Sequence, residues 1–263
     1  VVSTKFLSEV VSIFNPESLK NEINMKKSHK IPLELARNHA KILDVRLDST
    51  SQDRVLVLVA DFISRGQQFT IFTPNPEIIL EARCDQKFRH ILNTGTINVP
   101  DGVGLKIAEP SLKIIKGRDL FLELVKLAGR KNWQVFFLGG KGIRNVTAGP
   151  MLDKNGEPIS ERDRKREIEI VEKINKIKPD ILFVGFGAPK QEKWIYRNAK
   201  KLNVKCLMAV GGTFAYLAGK SRLPPKRLER AGLEWLWRLV NEPRRMGRIF
   251  NAVVIFPLKV FLY

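Results

Sequence analysis

Five short apolar runs in this chain each lead directly into a cluster of Gly, Pro or Asn, and this recurrence constrains the fold more than any other feature. Gln68–Phe72 leads into TPNP, Trp133–Leu138 into GGKG and Ile181–Gly185 into GFGAPK. Thr96–Val99 leads into PDGVG and Lys205–Val210 into GGTF. Stretches of helical period lie between the runs, which is the pattern of a parallel sheet with helices packed on it.

The other signals of regular structure agree with this pattern. A sixth run, Lys41–Val45, is predicted to be a further strand of the sheet. Ser49 or Thr50 is predicted to cap a helix that ends at Gly66. The sequence therefore predicts the α/β class, with a mostly parallel, Rossmann-like sheet, flanking helices and a basic helical appendage at the C-terminus.

The chain divides into three predicted parts. Residues 1–40 are polar and basic with a loose helical pattern, and they are predicted to be an N-terminal extension outside the core. Residues 41–223 carry the strand signals and are predicted to be the α/β core. Pro224 and Pro225 stop regular structure and open a predicted C-terminal arm over residues 224–263.

The chain is strongly basic, because 46 Lys and Arg against 27 Asp and Glu give a formal net charge of +19. Such a surface favours nucleic acid, anionic lipid or a phosphorylated substrate as partner. Ten Lys or Arg but only three Glu fall between Lys220 and Tyr263, together with Trp235 and Trp237. The arm is thus both basic and aromatic.

The cysteines and the lengths of the apolar runs indicate the cellular compartment of the protein. Cys84 and Cys206 are far apart in sequence and show no ligand spacing, so neither a disulfide framework nor a zinc site is predicted. No apolar run approaches the ~20 residues that cross a bilayer, and no signal peptide is recognisable. The expected location is the cytoplasm, in solution or on a membrane surface.

Chemistry is expected in the loops after the strands, because open parallel sheets bind ligands at the carboxyl ends of their strands. Asn75 is predicted to cap a helix that begins at Pro76, beside Thr73, where exposed backbone amides attract anions. Asp101 lies in the tight PDG turn and is predicted to project into the same crevice. Each residue also has an ordinary explanation, as a helix cap or a turn aspartate.

Glycine-rich loops supply a second group of candidates. Glycine lets backbone amides approach a diphosphate closely, although GGKG completes neither a Walker loop nor GxGxxG. In GFGAPKQEKW, Gln191 can offer donor and acceptor to a sugar, whereas Glu192 is interpreted as a partner of the helix dipole. The predicted substrate-binding residues in these loops are Gly139, Gly140, Gly187, Lys190, Gly212 and Thr213.

Five ordered motifs together resemble one protein family. They are TPNPE, PDGVG, PDILFVGFGAPKQEKWI, VGGTFAYLAGK and GLEWLWRLVNEPRR, and over roughly Lys41 to Tyr263 the chain resembles the WecG/TagA/CpsF family of bacterial glycosyltransferases. The resemblance implies an enzyme that transfers a sugar, typically N-acetylmannosamine from its UDP donor, to a polyprenyl-diphosphate-linked N-acetylglucosamine. Such enzymes make teichoic acid linkage units and surface polysaccharides.

The resemblance also implies roles for individual residues. Asp101 is matched with the general base, Thr73 and Asn75 with pocket residues beside it, and Gln191 with a substrate-contacting glutamine. Arg118 matches the arginine after the PDG turn with a shift of one residue. The arm is expected to close over the diphosphate with three arginines, which are Arg238, Arg245 and Arg248.

Chemistry and resemblance suggest the same mechanism. An inverting transfer needs a base for the acceptor hydroxyl and groups that hold the charge developing on the departing UDP. Many nucleotide-sugar transferases use a metal bound to a DxD motif, and no Asp-x-Asp occurs in this sequence. Arginines and helix-end amides are therefore expected to neutralise the diphosphate without a metal or other cofactor. The arm is expected to hold the protein on the inner face of the cell membrane, against anionic lipid.

Two departures from the family pattern affect these expectations. Ala215 stands where family members usually have an aspartate associated with the nucleotide. Residues 141–159 form a shorter polar stretch in place of a helix and strand, which predicts either a smaller sheet or a lid. Ser160 with Asp163 then resembles a capping box for a helix that reaches Ile177.

Other classes of protein stay open at this point: an inactive family member, a basic nucleic-acid-binding α/β protein or a dinucleotide-dependent enzyme. No RNP-like aromatic motif, GXXG module or helix-turn-helix signal supports specific nucleic-acid recognition. No complete GxGxxG is followed by an acidic residue about 20 positions on, as a dinucleotide site requires. A homo-oligomer is also open.

Overall fold

The computed structural model of the chain describes residues 10, 39–140, 146–217, 223–225, 227–228, 231–241 and 246–263. Seven strands are present in these ranges. They are β1 (His39–Ile42), β2 (Val45–Asp48), β3 (Phe69–Phe72), β4 (Ile97–Asn98), β5 (Val135–Leu138), β6 (Ile181–Val184) and β7 (Cys206–Ala209).

The last five strands form one parallel sheet in the order β4-β3-β7-β6-β5. They coincide with the five apolar runs that lead into Gly, Pro or Asn clusters. Their side chains are buried almost throughout, as expected for a sheet covered on both faces. The predicted α/β class with a parallel sheet is confirmed.

The prediction of a sheet strand over Lys41–Val45 is wrong. This stretch contains the turn of an antiparallel hairpin of β1 and β2, in which Leu43 and Asp44 have positive φ values of 46° and 66°. The hairpin lies beside the edge strand β4, where the Asn98 amide donates to the buried Asp48 carboxylate over 2.7 Å. Burial raises the pKa of Asp48. The hairpin therefore shields one edge of the sheet instead of extending it.

Ten α-helices accompany the strands in the described ranges. They are α1 (Gln52–Ser64), α2 (Pro76–Cys84), α3 (Gln86–Thr94), α4 (Gly117–Lys131), α5 (Glu161–Ile177), α6 (Lys190–Asn198), α7 (Thr213–Leu217), α8 (Glu234–Asn241), α9 (Met246–Phe250) and α10 (Phe256–Phe261). A π-helical turn at Asn251–Ile255 joins α9 to α10.

Side-chain caps explain where several helices begin. Ser51, and not Ser49 or Thr50 as predicted, caps α1 by accepting from the Arg54 amide. Ser49 Oγ instead accepts from the Lys113 amide over 3.2 Å. The predicted capping box of α5 is confirmed, since Ser160 Oγ accepts from the Asp163 amide over 3.1 Å.

Two apolar clusters cover the two faces of the sheet. The first contains α1, α4 and the start of α7. The second contains the hairpin with α2, α3, α5 and α6. Val10 is buried in the first cluster and Phe256 of α10 in the second. Most of the predicted N-terminal extension, residues 1–40, lies outside the described residues.

The order of the strands creates a crevice at one point of the sheet. β3 and β7 are neighbours, but the chain leaves β3 for α2 on the second face and β7 for α7 on the first. Loops that diverge in this way open a cleft at the carboxyl ends of the strands, where such sheets bind ligands. The loops after β3 and β7 are two of those that the sequence singled out.

Candidate active site

The turn after β4 and the loop after β3 meet at the head of α4. The Asp101 amide donates to the Pro74 carbonyl oxygen over 3.0 Å. A Cβ built on Gly117 would lie 3.0 Å from Thr73 Oγ1 and 3.3 Å from Asp101 Oδ2. The two side-chain oxygens therefore approach the same position, and only a glycine at the start of α4 leaves room for them. The predicted proximity of Thr73 and Asp101 is present.

Asn75 caps α2 as predicted. Its Oδ1 accepts from the Ile78 amide over 2.9 Å, and Pro76 occupies the first turn of the helix. The side chains of Thr73, Asn75 and Asp101 are all half-buried. The start of α2 thus directs backbone amides and the positive end of its dipole toward the carboxyl edge of the sheet.

Arg118 lies one residue beyond Gly117, in the first turn of α4. Its side chain is 11% exposed, and its Nε lies 3.1 Å from Asp119 Oδ1. The guanidinium is therefore held within the first turn of α4, and its residue follows the glycine that Thr73 and Asp101 approach. This position agrees with the arginine that the family resemblance implies near the PDG turn, while its role stays a prediction.

The C-terminal arm contacts this part of the molecule at several points. Lys116, the residue before Gly117, forms an ion pair with Glu234 at the start of α8. A Cβ on Gly232 would lie 3.4 Å from Val103 Cγ2, so the arm also packs on the loop after Asp101. The arm is thus attached to the loop that holds the candidate base.

The three arginines expected to close over a diphosphate are described to different extents. Arg248 Nε lies 3.4 Å from Glu77 Oε1, in the first turn of α2, and its side chain is 61% exposed. Arg238 belongs to α8, but its side chain lies outside the description, and Arg245 lies outside the described residues. The position of Arg248 near the Asn75 cap is consistent with the expectation.

The loops after β5 and β6 are in close contact through glycines. Gly139 has a φ of 109°, and a Cβ there would lie 2.6 Å from the Gly185 carbonyl oxygen. A Cβ on Gly185 would in turn lie 2.5 Å from the ring of Phe214. These glycines are therefore required by the packing of the loops, whichever ligand they meet.

A pocket of about 200 Å³ opens where these two loops meet a third segment. Two of the predicted binding residues, Gly140 and Lys190, line it. The rest of its lining was not predicted from the sequence. It brings together an aromatic ring, a thioether and glycine backbone: Gly149, Pro150, Met151, Leu152, Gly185 and Phe186.

The third segment, 149–158, is called the strap, because side chains of α6 attach it to the rest of the molecule. Lys190 donates to the Leu152 carbonyl over 2.5 Å, Lys193 to the Lys154 carbonyl over 3.1 Å and Arg197 to the Gly156 carbonyl over 2.7 Å. These donors lie along one side of α6 and bind every second carbonyl of the strap.

Ion pairs also hold two of these basic residues. Lys193 is 4% exposed and lies 2.6 Å from Asp85, and Arg197 forms two hydrogen bonds with Glu167 of α5. The strap occupies the stretch where the sequence predicted a smaller sheet or a lid. It is an irregular wall of the pocket, and three side chains of α6 bind its carbonyls.

Gln191 links the loops after β6 and β7. Its Oε1 accepts from the Gly187 amide over 3.2 Å and from the Gly211 amide over 3.0 Å. Its Nε2 donates to Glu192 Oε1 over 2.8 Å. Gln191 is 2% exposed, so its amide is engaged inside the protein. Direct substrate contact by Gln191 stays a prediction.

Glu192 has the position predicted for a partner of the helix dipole, but its side chain is buried. It lies in the first turn of α6 but is 1% exposed. Burial raises the pKa of Glu192 to about 7. The burial of Glu192 could not be predicted from the sequence, because it lies in a run of consecutive buried residues that has no helical period. The run after Gln191 is Glu192, Lys193, Trp194 and Ile195.

The remaining predicted binding residues lie in the loop after β7. The Thr213 amide donates to the Val210 carbonyl over 3.1 Å, and its side chain is buried at the start of α7. Gly212 precedes it in the turn. Ala215 belongs to α7, and its side chain lies outside the description.

Neither a metal-ligand cluster nor a membrane-spanning helix is present in the described ranges. Within them, no three His, Cys, Asp or Glu side chains are grouped so that they could hold a metal ion. No helix in the same ranges combines the length and the apolar character that are needed to cross a bilayer.

Comparison with known proteins gives a consistent result. The chain is 29% identical over 231 residues to an N-acetylglucosaminyldiphosphoundecaprenol N-acetyl-beta-D-mannosaminyltransferase of Staphylococcus aureus strain MRSA252, covering 83% of this chain and 91% of the relative. The protein of the same name from strain MW2 matches with the same identity and coverage. The model of the glycosyl transferase WecG/TagA/CpsF family matches residues 40–263. The chain therefore belongs to the WecG/TagA/CpsF family of glycosyl transferases.

Proposed function

We propose that this family member transfers N-acetylmannosamine, or a closely related sugar, from a UDP-sugar to a polyprenyl-diphosphate-linked N-acetylglucosamine. The observation that carries the proposal is the meeting of Asp101 and Thr73 at the head of α4, beside the crevice of the sheet. The names of the staphylococcal relatives supply the sugar and the acceptor. The product would serve teichoic acid or surface polysaccharide synthesis.

The chemistry requires a base and a way to stabilise the leaving group. The acceptor hydroxyl oxygen attacks the anomeric carbon from the face opposite UDP, the bond from that carbon to the diphosphate oxygen breaks, and the hydroxyl proton passes to the Asp101 carboxylate. The configuration at the anomeric carbon is inverted. Arg118, Arg248 and the amides at the start of α2 are suited to the negative charge that develops on the UDP.

The donor can be placed along the carboxyl edge of the sheet. The pocket of Gly140, Met151 and Phe186 offers an aromatic ring, a thioether and glycine backbone, which suit a planar base. β6 lies two strands from β3 in the sheet, which is about 10 Å. The diphosphate would then cross the loops after β6 and β7, and the sugar would reach Asp101.

Exposed apolar side chains in the arm support contact with a membrane. Leu258, Phe261 and Leu262 are 52%, 78% and 77% exposed, and Lys259 lies among them. Side chains of this kind settle at the boundary of a bilayer when basic residues meet anionic lipid. The proposed location is thus the inner face of the cell membrane, where the acceptor lipid resides.

A transfer assay tests the proposed activity. UDP-N-acetylmannosamine and an N-acetylglucosamine-diphosphate-lipid analogue are incubated with the protein, and the disaccharide lipid is detected by mass spectrometry. UDP-N-acetylglucosamine and UDP-glucose serve as competing donors. Formation of the N-acetylmannosaminyl product is expected. A protein that binds RNA, does not bind UDP and forms no product would favour the nucleic-acid alternative. A protein that binds UDP but transfers sugar to no acceptor would favour an inactive family member.

Vesicle binding tests the proposed location. Phe261→Glu is expected to weaken co-sedimentation with vesicles containing anionic phosphatidylglycerol, because it places a charge where an apolar ring meets lipid. Ile168→Glu is the matched control, since Ile168 is 54% exposed on α5, outside the arm. Equal sedimentation of the two variants, or a dimer in solution that covers the arm and binds no vesicles, would contradict the proposal.

A further inference from the structure

One oxygen atom connects the two glycine loops that flank the middle of the sheet. Gln191 Oε1 accepts from both the Gly187 amide and the Gly211 amide, which belong to the loops after β6 and β7. Gly187 and Gly211 have φ values of 80° and 54°, so neither loop has the backbone of a regular element at this point. The distance between the loops therefore depends on the orientation of the Gln191 amide.

An amide side chain can point either its oxygen or its nitrogen at these two donors. If the group turned over, its NH2 would face two backbone N–H groups, and none of the three could form a hydrogen bond there. The correct orientation is selected by the group on the other side of the amide. That group is the Glu192 carboxylate, whose Oε1 accepts from Gln191 Nε2 over 2.8 Å.

The environment of Glu192 is unfavourable for a residue that only supports the fold. The side chain is 1% exposed, and its Oε2 has no hydrogen-bond partner among the described residues. Glu81 of α2 is the acidic group that faces it, and Lys193 is the basic one. A buried carboxyl group with an unpaired oxygen costs stability, because its lost hydration is not replaced. Its presence in this place indicates a use other than support of the fold.

We propose that Glu192 is a positioning residue for glycosyl transfer, which orients the Gln191 amide and thereby sets the spacing of the Gly187 and Gly211 loops around the donor diphosphate. This inference rests on the proposed function. Both loops lie at the carboxyl ends of adjacent strands, between the pocket at β5 and β6 and the candidate base beyond β3. A change in their spacing would alter how the donor is held, before any effect on the proton transfer.

The test compares two substitutions at one position. Glu192→Gln keeps a carbonyl oxygen as acceptor for Gln191, whereas Glu192→Met has similar length and no strong acceptor. For Glu192→Met we expect the KM for the UDP-sugar and the Kd for UDP to rise about tenfold, which corresponds to one lost hydrogen bond, with a smaller effect on kcat. Glu192→Gln is expected to restore both constants to within about threefold of wild type. The Tm of Glu192→Met should change little, because removal of the buried unpaired oxygen offsets the loss of the acceptor for Gln191 Nε2.

A double variant and a matched control make the test specific. In a Gln191→Met background, Glu192→Met should cause no additional loss, because Glu192 acts through Gln191. Asp48→Asn changes another buried carboxyl group, which accepts from the Asn98 amide where the hairpin meets β4, and should lower Tm without changing the KM for the donor.

Several outcomes would overturn the inference. They are a wild-type donor KM and UDP Kd in Glu192→Met, equal impairment in Glu192→Gln, and a further loss in the double variant. If the wild-type protein itself failed to bind UDP, the proposed function would fail instead. The two failures are therefore distinguishable.

Discussion

Gly139 lies at the closest approach of two loops at the carboxyl edge of the sheet. Its φ of 109° is unfavourable for other residues, and a Cβ would lie 2.6 Å from the Gly185 carbonyl oxygen. Gly66 is a matched control, because its φ of 66° is also positive but nothing lies within 4 Å of a Cβ there. The two positions separate backbone strain from steric conflict.

We expect Gly139→Ala to lower the free energy of unfolding by about 3 kcal/mol, since strain and collision add. Gly66→Ala should lower it by about 1 kcal/mol, through strain alone. Urea denaturation of both variants measures the difference. Equal losses would show that the loops after β5 and β6 are not packed against each other as described.

The buried carboxyl group of Glu192 predicts how stability depends on pH. Burial, with the nearby Glu81 carboxylate, raises its pKa from 4.5 to about 7, against the opposing effects of Gln191 and Lys193. Between these values the folded protein binds more protons than the unfolded chain, so stability falls as pH rises. Below pH 4.5 both states are protonated, and above pH 7 the loss is complete.

Relative to Glu192→Gln, the wild-type protein is therefore expected to lose about 3 kcal/mol of unfolding free energy between pH 4.5 and pH 7.5. The measurement is denaturant unfolding of both proteins at several pH values in this window. A difference that stays constant with pH would mean that Glu192 ionises at its ordinary pKa and is hydrated.

At the scale of elements, the basic side chains of α6 hold the strap in place. Lys193 is buried between Asp85 and the Lys154 carbonyl, so Lys193→Met removes an ion pair and a strap contact together. We expect amides of the strap, such as those of Gly156 and Glu157, to exchange with solvent about tenfold faster in this variant. Hydrogen exchange followed by mass spectrometry measures this.

Lys126→Met is the control for the strap. Lys126 pairs with Glu123 within α4 and has no contact with the strap among the described hydrogen bonds. Its substitution should leave exchange of the strap unchanged. Unchanged exchange in Lys193→Met as well would show that the strap does not depend on α6.

Elements with a strong local pattern were predictable from the sequence, and elements defined by distant contacts were not. Each strand of the parallel sheet is an apolar run with a glycine, proline or asparagine stop, and the caps Asn75 and Ser160 have side chains that bind the helix start directly. The hairpin was missed because Leu43 and Asp44 adopt positive φ without the Asn-Gly signal of such turns.

The candidate site also has parts that were predictable from the sequence and parts that were not. The convergence of Thr73 and Asp101 follows from two loops at neighbouring strand ends, which the order of motifs indicated. The strap was not predictable, because its fixed conformation depends on Lys190, Lys193 and Arg197, which resemble an ordinary charged helix face in sequence. The conformation of such a segment depends on contacts with residues that are distant in sequence.

At the scale of the whole molecule, charge is expected to replace a divalent metal. The chain carries a net charge of +19, has no Asp-x-Asp motif and places Arg118 and Arg248 near the crevice. We expect the transfer rate to be unchanged after treatment with EDTA, since guanidinium groups and helix-end amides neutralise the diphosphate. A rate that EDTA abolishes and Mg²⁺ or Mn²⁺ restores would contradict this expectation.

Asp101, at the head of α4, is the proposed base for the reaction, and substitution by asparagine tests this role most directly. Asp101→Asn keeps the size of the side chain but cannot accept the proton, so transfer should fall about a thousandfold while the Kd for UDP changes by less than about threefold. Asp61→Asn, which changes a carboxylate of α1 paired with Arg65, should retain the wild-type rate. An Asp101→Asn protein that transfers sugar at close to the wild-type rate would contradict the central claim.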